Sequence, residues 1–349
     1  LGDVYKRQPG GDFMQGFQKV VGHQEIITHL QNAISMNKVS HAYLFGGESG
    51  SGKKMMASLF AMTLQCEKHG VEPCMECPSC KKAQSQNHPD IIYVKHEKPN
   101  TISIDEIREQ LINDVMIKPY SSPYKIYIID EAQKLTLQAQ NALLKTIEEP
   151  PAYAVVMLLA DNPDALLPTI SSRCVQLNLK PVGDQLVKDY LMNEMHVPDY
   201  QAEVDASLAQ GNIGKAERIA RSPEYEETLE NALRMAKYAD SMPLYEIVET
   251  IKKLTAEKDN IDDYFDIFSL WFRDVLLFKA TKEVDSLVFK QELNGIRERA
   301  NKSSYEGLEK IIEAIQKARA RLNANVNFDL TMELMFLTIC LLYTSDAAD

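Results

Sequence analysis

Residues 47–54 read GESGSGKK, a G-x-x-x-x-G-K stretch followed by a second lysine. That spacing lets backbone N–H groups and one ammonium, here Lys53, gather around a phosphate. It constrains the fold because the loop works only where it leaves a buried strand and enters a helix whose N-terminus faces the anion. The flanks supply both: AYLF at 42–45 is a short apolar run closed by two glycines, and Met55 to Leu64 is an apolar helical stretch. Four further apolar runs, IIYV (91–94), KIYIID (125–130), AVVMLLA (154–160) and CVQLNL (174–179), read as strands separated by helical patterns. One such pattern, Leu135, Ala139, Ala142, Leu143, Thr146 and Ile147, stops at Pro150 and Pro151, which cannot continue a helix. Strands alternating with helices predict a mostly parallel sheet covered on both faces.

The residue after Lys53 is anomalous. That position normally offers a hydroxyl to Mg²⁺, and here it is Lys54, whose ammonium donates hydrogen bonds and accepts none. At the end of KIYIID, Asp130 and Glu131 repeat the pattern of a strand that delivers one carboxylate to a metal and the next to an attacking water. Together, Gly47, Gly50, Gly52, Lys53, Lys54, Asp130 and Glu131 outline a degenerate nucleotide site of the P-loop NTPase class. The alternative is a glycine-rich turn that holds no ligand.

Cys74, Cys77 and Cys80 follow one another at x₂ spacing, with Cys66 upstream. Four thiolates so placed can close a tetrahedral zinc site with no open position for water, which makes the site structural. His69 could serve as the fourth ligand in place of Cys66. Arg173 stands in ISSRCVQL just before a strand, where by itself it reads as a surface residue.

Beyond Pro181 the strand signals vanish. Leu186, Val187, Tyr190 and Leu191 make one short amphipathic face, and a second segment spans about 206–220. From about residue 226 the stripes lengthen, as in Phe265, Phe268, Trp271, Phe272 and Val275, then Ile311, Ile312 and Ile315. The net charge of −12 argues against a free-standing nucleic-acid binder. No stretch is long and apolar enough for a membrane span, so a cytoplasmic location and reduced cysteines are expected. The ends carry a separate signal: DVYKRQ (3–8) and CLLYTS (340–345) can be encoded by complementary strands of one DNA sequence, as a library adapter read into the frame would be. On that reading residues 1–13 and 340–349 are adapter-derived or upstream sequence, and the native chain runs from Met14 to about Ile339.

Taken together, HAYLFGG (41–47), PCMECPSC (73–80), DEAQKL with NALLKTIEEPP (130–151) and LLPTISSRC (166–174) resemble the clamp-loader branch of the AAA+ ATPases. Within that branch they resemble the delta-prime family of bacterial DNA polymerase III, over nearly all of residues 14–339. The resemblance implies an α/β AAA+ domain (14–180) with an inserted zinc module (66–80), a small helical lid domain (181–222), and an all-α collar domain (223–339) that holds a ring of subunits together. It implies gamma/tau and delta subunits as partners in a hetero-pentamer, and a sliding clamp loaded onto primed DNA. It assigns Arg173 as an arginine finger reaching a neighbouring ATP site, with Ser172 and Cys174 fixing its turn. Two departures from the ATP-hydrolysing relatives, Lys54 and a Gly214 where their lid has an arginine, imply a subunit without ATPase activity, with ATP/Mg²⁺ binding left open. An active gamma/tau-like ATPase is the alternative.

Overall fold

The computed structural model describes residues 16–238, 243–256, 260–324 and 326–341. Met14, the 1–13 segment and all of 340–349 beyond Leu341 lie outside the described residues. The chain divides into two compact units, the first made of residues 1–187 and 211–215, the second of 188–210 and 216–349.

The first unit is built on a five-stranded, wholly parallel sheet in the order β2-β3-β4-β1-β5. Its strands are β1 Ala42–Gly46, β2 Ile91–Tyr93, β3 Lys125–Ile129, β4 Ala154–Ala160 and β5 Val175–Asn178. Every residue of β1, β3 and β4 is buried, which explains why these strands read as unbroken apolar runs: helices cover both faces of the sheet. Alternate residues feed two cores. Tyr43, Phe45, Ile126, Ile128, Met157 and Leu159 pack with Leu30 of α1 (Gln24–Ser35), with Met56 and Phe60 of α2 (Lys53–Leu64), and with Cys80 of α3 (Pro78–Gln84). Leu44, Tyr127, Ile129, Val156 and Leu158 face the other way. They meet Ile107 of α4 (Ile104–Ile107), Leu143 and Ile147 of α5 (Leu137–Glu148), and Ile170 of α6 (Pro168–Ser171).

The helix expected from Leu135 begins two residues later. Thr136 caps it by accepting a hydrogen bond from the Ala139 N–H, and Leu135 is buried in extended backbone just before the cap.

The remaining helices are α7 Asp184–Asn193, α8 Asp199–Ala209, α9 Ile213–Arg221, α10 Pro223–Tyr238, α11 Leu244–Ala256, α12 Ile261–Thr281, α13 Leu293–Lys302, α14 Tyr305–Asn323 and α15 Phe328–Leu341. The second unit is all-helical among the described residues and centres on α12. Phe265, Phe268, Trp271, Phe272 and Val275 of α12 are all buried, and α10, α13 and α14 pack around that helix. Two details differ from the sequence expectation. The 206–220 segment is two helices, broken where Gln210 and Gly211 take positive φ. Leu186 is exposed, so the buried face of α7 narrows to Val187 and Leu191.

Candidate nucleotide, metal and arginine sites

The phosphate loop, the Asp130–Glu131 pair and Asp161 all emerge from the C-terminal ends of β1, β3 and β4, which are neighbours in the sheet. Ligands of open parallel sheets bind at this edge. Gly47, Gly50 and Gly52 have φ of 148°, 83° and 92°, values a side chain would strain, so the loop needs glycine at these three places.

Lys53 is only 7% exposed and its ammonium is fully engaged: it donates to Gly47 O (2.6 Å), Glu48 O (2.7 Å) and Asp161 Oδ1 (2.7 Å). Asp161 is held in turn by Gln133, whose amide donates to Asp161 Oδ2 and accepts from the Asp161 N–H, both at 3.1 Å. Lys54 turns to the other side, with Nζ 3.0 Å from Asp130 Oδ2. Asp130 Oδ1 accepts from the Glu131 N–H. Glu131 sits at φ 52°, and its carboxylate meets Lys134 Nζ at 2.6 Å and His96 Nε2 at 3.3 Å. Each charge expected to face nucleotide, metal or water is thus matched within the chain. Magnesium requires oxygen ligands in a near-ideal octahedron. The atom at the hydroxyl position is a nitrogen cation that already occupies the Asp130 carboxylate, so these residues do not fit Mg²⁺.

A third wall comes from the 211–215 segment, which belongs to the same unit as the loop. Asn212 Nδ2 donates to Ser49 O (2.7 Å), and the Gly214 N–H donates to Gly50 O (3.0 Å). A Cβ on Gly214 would lie 2.7 Å from Gly50 O and 2.8 Å from Gly50 Cα. The backbones approach so closely that no side chain fits at 214, arginine included.

The sulfur atoms of Cys66, Cys74, Cys77 and Cys80 all lie within 4.8 Å of one another, and Cys74 Sγ and Cys80 Sγ are 4.0 Å apart. Zinc bound tetrahedrally at about 2.3 Å from each thiolate needs sulfurs about 3.8 Å apart, so the four residues fit that ion. Local structure makes the cluster. Cys66 follows α2, Cys77 caps α3 and Cys80 lies in its first turn, while N–H groups of Cys74, Cys77 and Cys80 donate to Cys66, Cys74 and Cys77 Sγ at 3.3–3.5 Å. Donation from the Cys77 and Glu76 N–H groups lowers the Cys74 thiol to about 6, and burial pushes Cys80 upward. The converging group contains Cys66 and not His69.

Arg173 lies in the turn between α6 and β5. Its guanidinium pairs with Glu148 Oε1 at 3.0 Å and donates to Thr169 O at 2.9 Å while remaining 41% exposed. Burial raises the neighbouring Cys174 thiol to about 11, and its side chain packs against the second core.

The sequence expectation missed Asp161, Gln133, His96 and Lys134. One signal was available: Asp161 follows β4 as Asp130 follows β3, a carboxylate directly after a buried strand.

Comparison with known proteins adds an independent line. A family described as DNA polymerase III, delta subunit, matches residues 22–183, and one described as DNA polymerase III, delta subunit, C terminal, matches residues 227–340. The chain is 31% identical over 314 residues to DNA polymerase III subunit delta' of Bacillus subtilis (strain 168), covering 89% of this chain and 94% of that protein. It is 30% identical to the tau subunit of the same organism, over 96% of this chain and 63% of that longer protein. Among solved structures, a gamma subunit-related protein of DNA polymerase III from Thermotoga maritima aligns over 91% of this chain and 99% of its own, at 19% identity and a TM-score of 0.46.

Proposed function

The chain belongs to the delta' family of DNA polymerase III clamp-loader subunits, and from that premise we propose that it hydrolyses no ATP itself and completes a neighbouring subunit's ATP site with Arg173. The observation that carries this reading is the Lys54–Asp130 pair, an ammonium on the carboxylate that a hydrolytic site needs for its metal. Gly214 supports it, since the close approach to Gly50 leaves no room for an arginine on the γ-phosphate. Glu131 is likewise held by Lys134 and His96, away from the role of orienting water.

Arg173 suits donation in trans. It is held by one carboxylate and one carbonyl, stays partly exposed, and can exchange Glu148 for a phosphate oxygen at little cost. The same proposal takes in gamma/tau and delta subunits as ring partners, a sliding clamp and primed DNA as what the assembled machine handles, a cytoplasmic setting, and a structural zinc on Cys66, Cys74, Cys77 and Cys80. It also takes in the three-part division into 14–180, 181–222 and 223–339. No described helix is long and apolar enough to cross a membrane.

The test is reconstitution with gamma/tau, delta and the clamp. Arg173→Ala should leave assembly intact and depress DNA-stimulated ATP hydrolysis, by up to about 10³-fold at the site it completes. Unchanged turnover would remove the finger role. The alternative, an active gamma/tau-like ATPase, draws support from the retained Asp130–Glu131 pair and the 30% identity to tau. Magnesium-dependent turnover by the purified chain at the rate of a gamma/tau subunit would establish it instead.

A further inference from the structure

We propose that Lys54 is a tethered replacement for the divalent cation, so that the phosphate loop takes the polyphosphate group of a nucleotide without magnesium. The proposal rests on reading residues 47–54 as a phosphate loop and deepens it by assigning the counter-charge. A loop of this kind gathers N–H donors around several phosphate negative charges, and donors alone leave much of that charge unmatched. The usual remedy is a metal held between the loop hydroxyl and the strand carboxylate. Here both ends of that arrangement are altered together. The hydroxyl is gone, and the ammonium in its place rests 3.0 Å from Asp130 Oδ2, the oxygen on which such a metal would depend.

Lys54 is suited to this role in a way Lys53 is not. Lys53 is 7% exposed and committed to two carbonyls and Asp161, whereas the Lys54 side chain is 58% exposed on a flexible four-carbon stem, its ammonium paired with Asp130. Its ammonium has three donors, so it can keep Asp130 and add a phosphate oxygen. The same charge repels a second cation from the site. One fixed positive charge in place of two makes the binding weak, and it also makes the binding indifferent to magnesium.

The experiment measures displacement of a fluorescent ADP by unlabelled ADP from the purified full-length chain, with magnesium present or withheld. No chelator is used, because a chelator would also strip a metal from the cysteine cluster. Saturable binding without magnesium, with affinity changing less than about threefold when magnesium is added, is expected. Lys54→Thr restores the hydroxyl and removes the ammonium; it should lose about tenfold or more without magnesium, the worth of a charge-assisted hydrogen bond, and regain it when magnesium is supplied. Asp130→Asn in the Lys54→Thr background should abolish that regain. Thermal melts and zinc content certify that each variant is folded. Three results would overturn the proposal: no binding by the parent chain without magnesium, a tenfold gain on adding it, or a Lys54→Thr variant that behaves as the parent. Any of these would leave clamp loading by the reconstituted complex untouched, so the subunit assignment stands or falls separately.

Discussion

Charge matching at single residues holds the phosphate loop in shape. A lysine buried to 7% exposure would be costly if unpaired, and Lys53 escapes that cost through three acceptors within 2.7 Å. The cysteine cluster is the opposite case. Four thiols converge in a module with little apolar core of its own, and their mutual proximity is favourable only when they share a cation, because neighbouring thiolates repel. Cys77 is the critical member, since its sulfur also accepts the Cys80 N–H and caps α3. Native protein should carry about one zinc per chain, and Cys77→Ser should carry almost none. Its melting temperature should fall by about 2–4 °C for each kcal/mol of metal binding lost. Elemental analysis beside a thermal melt checks both statements, and zinc-free native protein would contradict the first.

At the scale of elements, the contact between the 211–215 segment and the phosphate loop gives a prediction whose sign is informative. Gly214 lies in the first turn of α9, where replacing glycine by alanine ordinarily stabilises by about 0.4–1 kcal/mol. The Gly50 backbone, 2.7 Å from where the new Cβ would stand, reverses that expectation. Gly214→Ala should destabilise by about 1–3 kcal/mol, read as a lower urea midpoint at unchanged slope. A stabilised variant would mean that the segment does not dock on the loop. This contact was illegible in the sequence, and so was the helix break beside it. Apolar residues continue through 206–220 at helical spacing, and a lone Gly211 is tolerated in helices. What forces the break is the closeness of the Val182 carbonyl to Gly211, 29 positions away from it in the chain. The sheet, by contrast, was legible nearly to the residue, because its three central strands, β3, β4 and β1, are buried on both faces and carry continuous apolar runs. The site divides in the same way. Lys53, Lys54, Asp130 and the cysteines sit in short motifs whose spacing carries the chemistry. Asp161 and His96 join them only through strand order, Asp161 at a separation of 108 residues from Lys53, while Gln133, three residues past Asp130, enters the site through its hydrogen bonds to Asp161.

Across the whole molecule, the charge pattern separates what this chain can do alone from what it does in an assembly. Binding to the DNA backbone is driven by counterion release, which needs several lysines or arginines free to meet phosphates at once. The chain carries a net charge of −12, and many of its basic side chains are already backed by acidic ones. On α14, Lys310 pairs with Glu306 and Lys317 with Glu313. Arg319 of the same helix pairs with Asp266 of α12, and elsewhere in the second unit Lys188 and Lys290 share Glu203 and Lys302 pairs with Glu298. Each pair is worth little to stability in water, yet each would have to be given up or repelled as a phosphate approached. The isolated chain should therefore bind a primed duplex more weakly than about 10⁻⁴ M at physiological salt, the weak end of ordinary non-specific binding. The reconstituted complex should bind with a steep salt dependence supplied by its other subunits. Fluorescence anisotropy of a labelled primed duplex over a salt series distinguishes the two. Micromolar affinity of the chain by itself, falling steeply with added salt, would place a DNA-contacting surface on this subunit and require a role beyond the one proposed for Arg173.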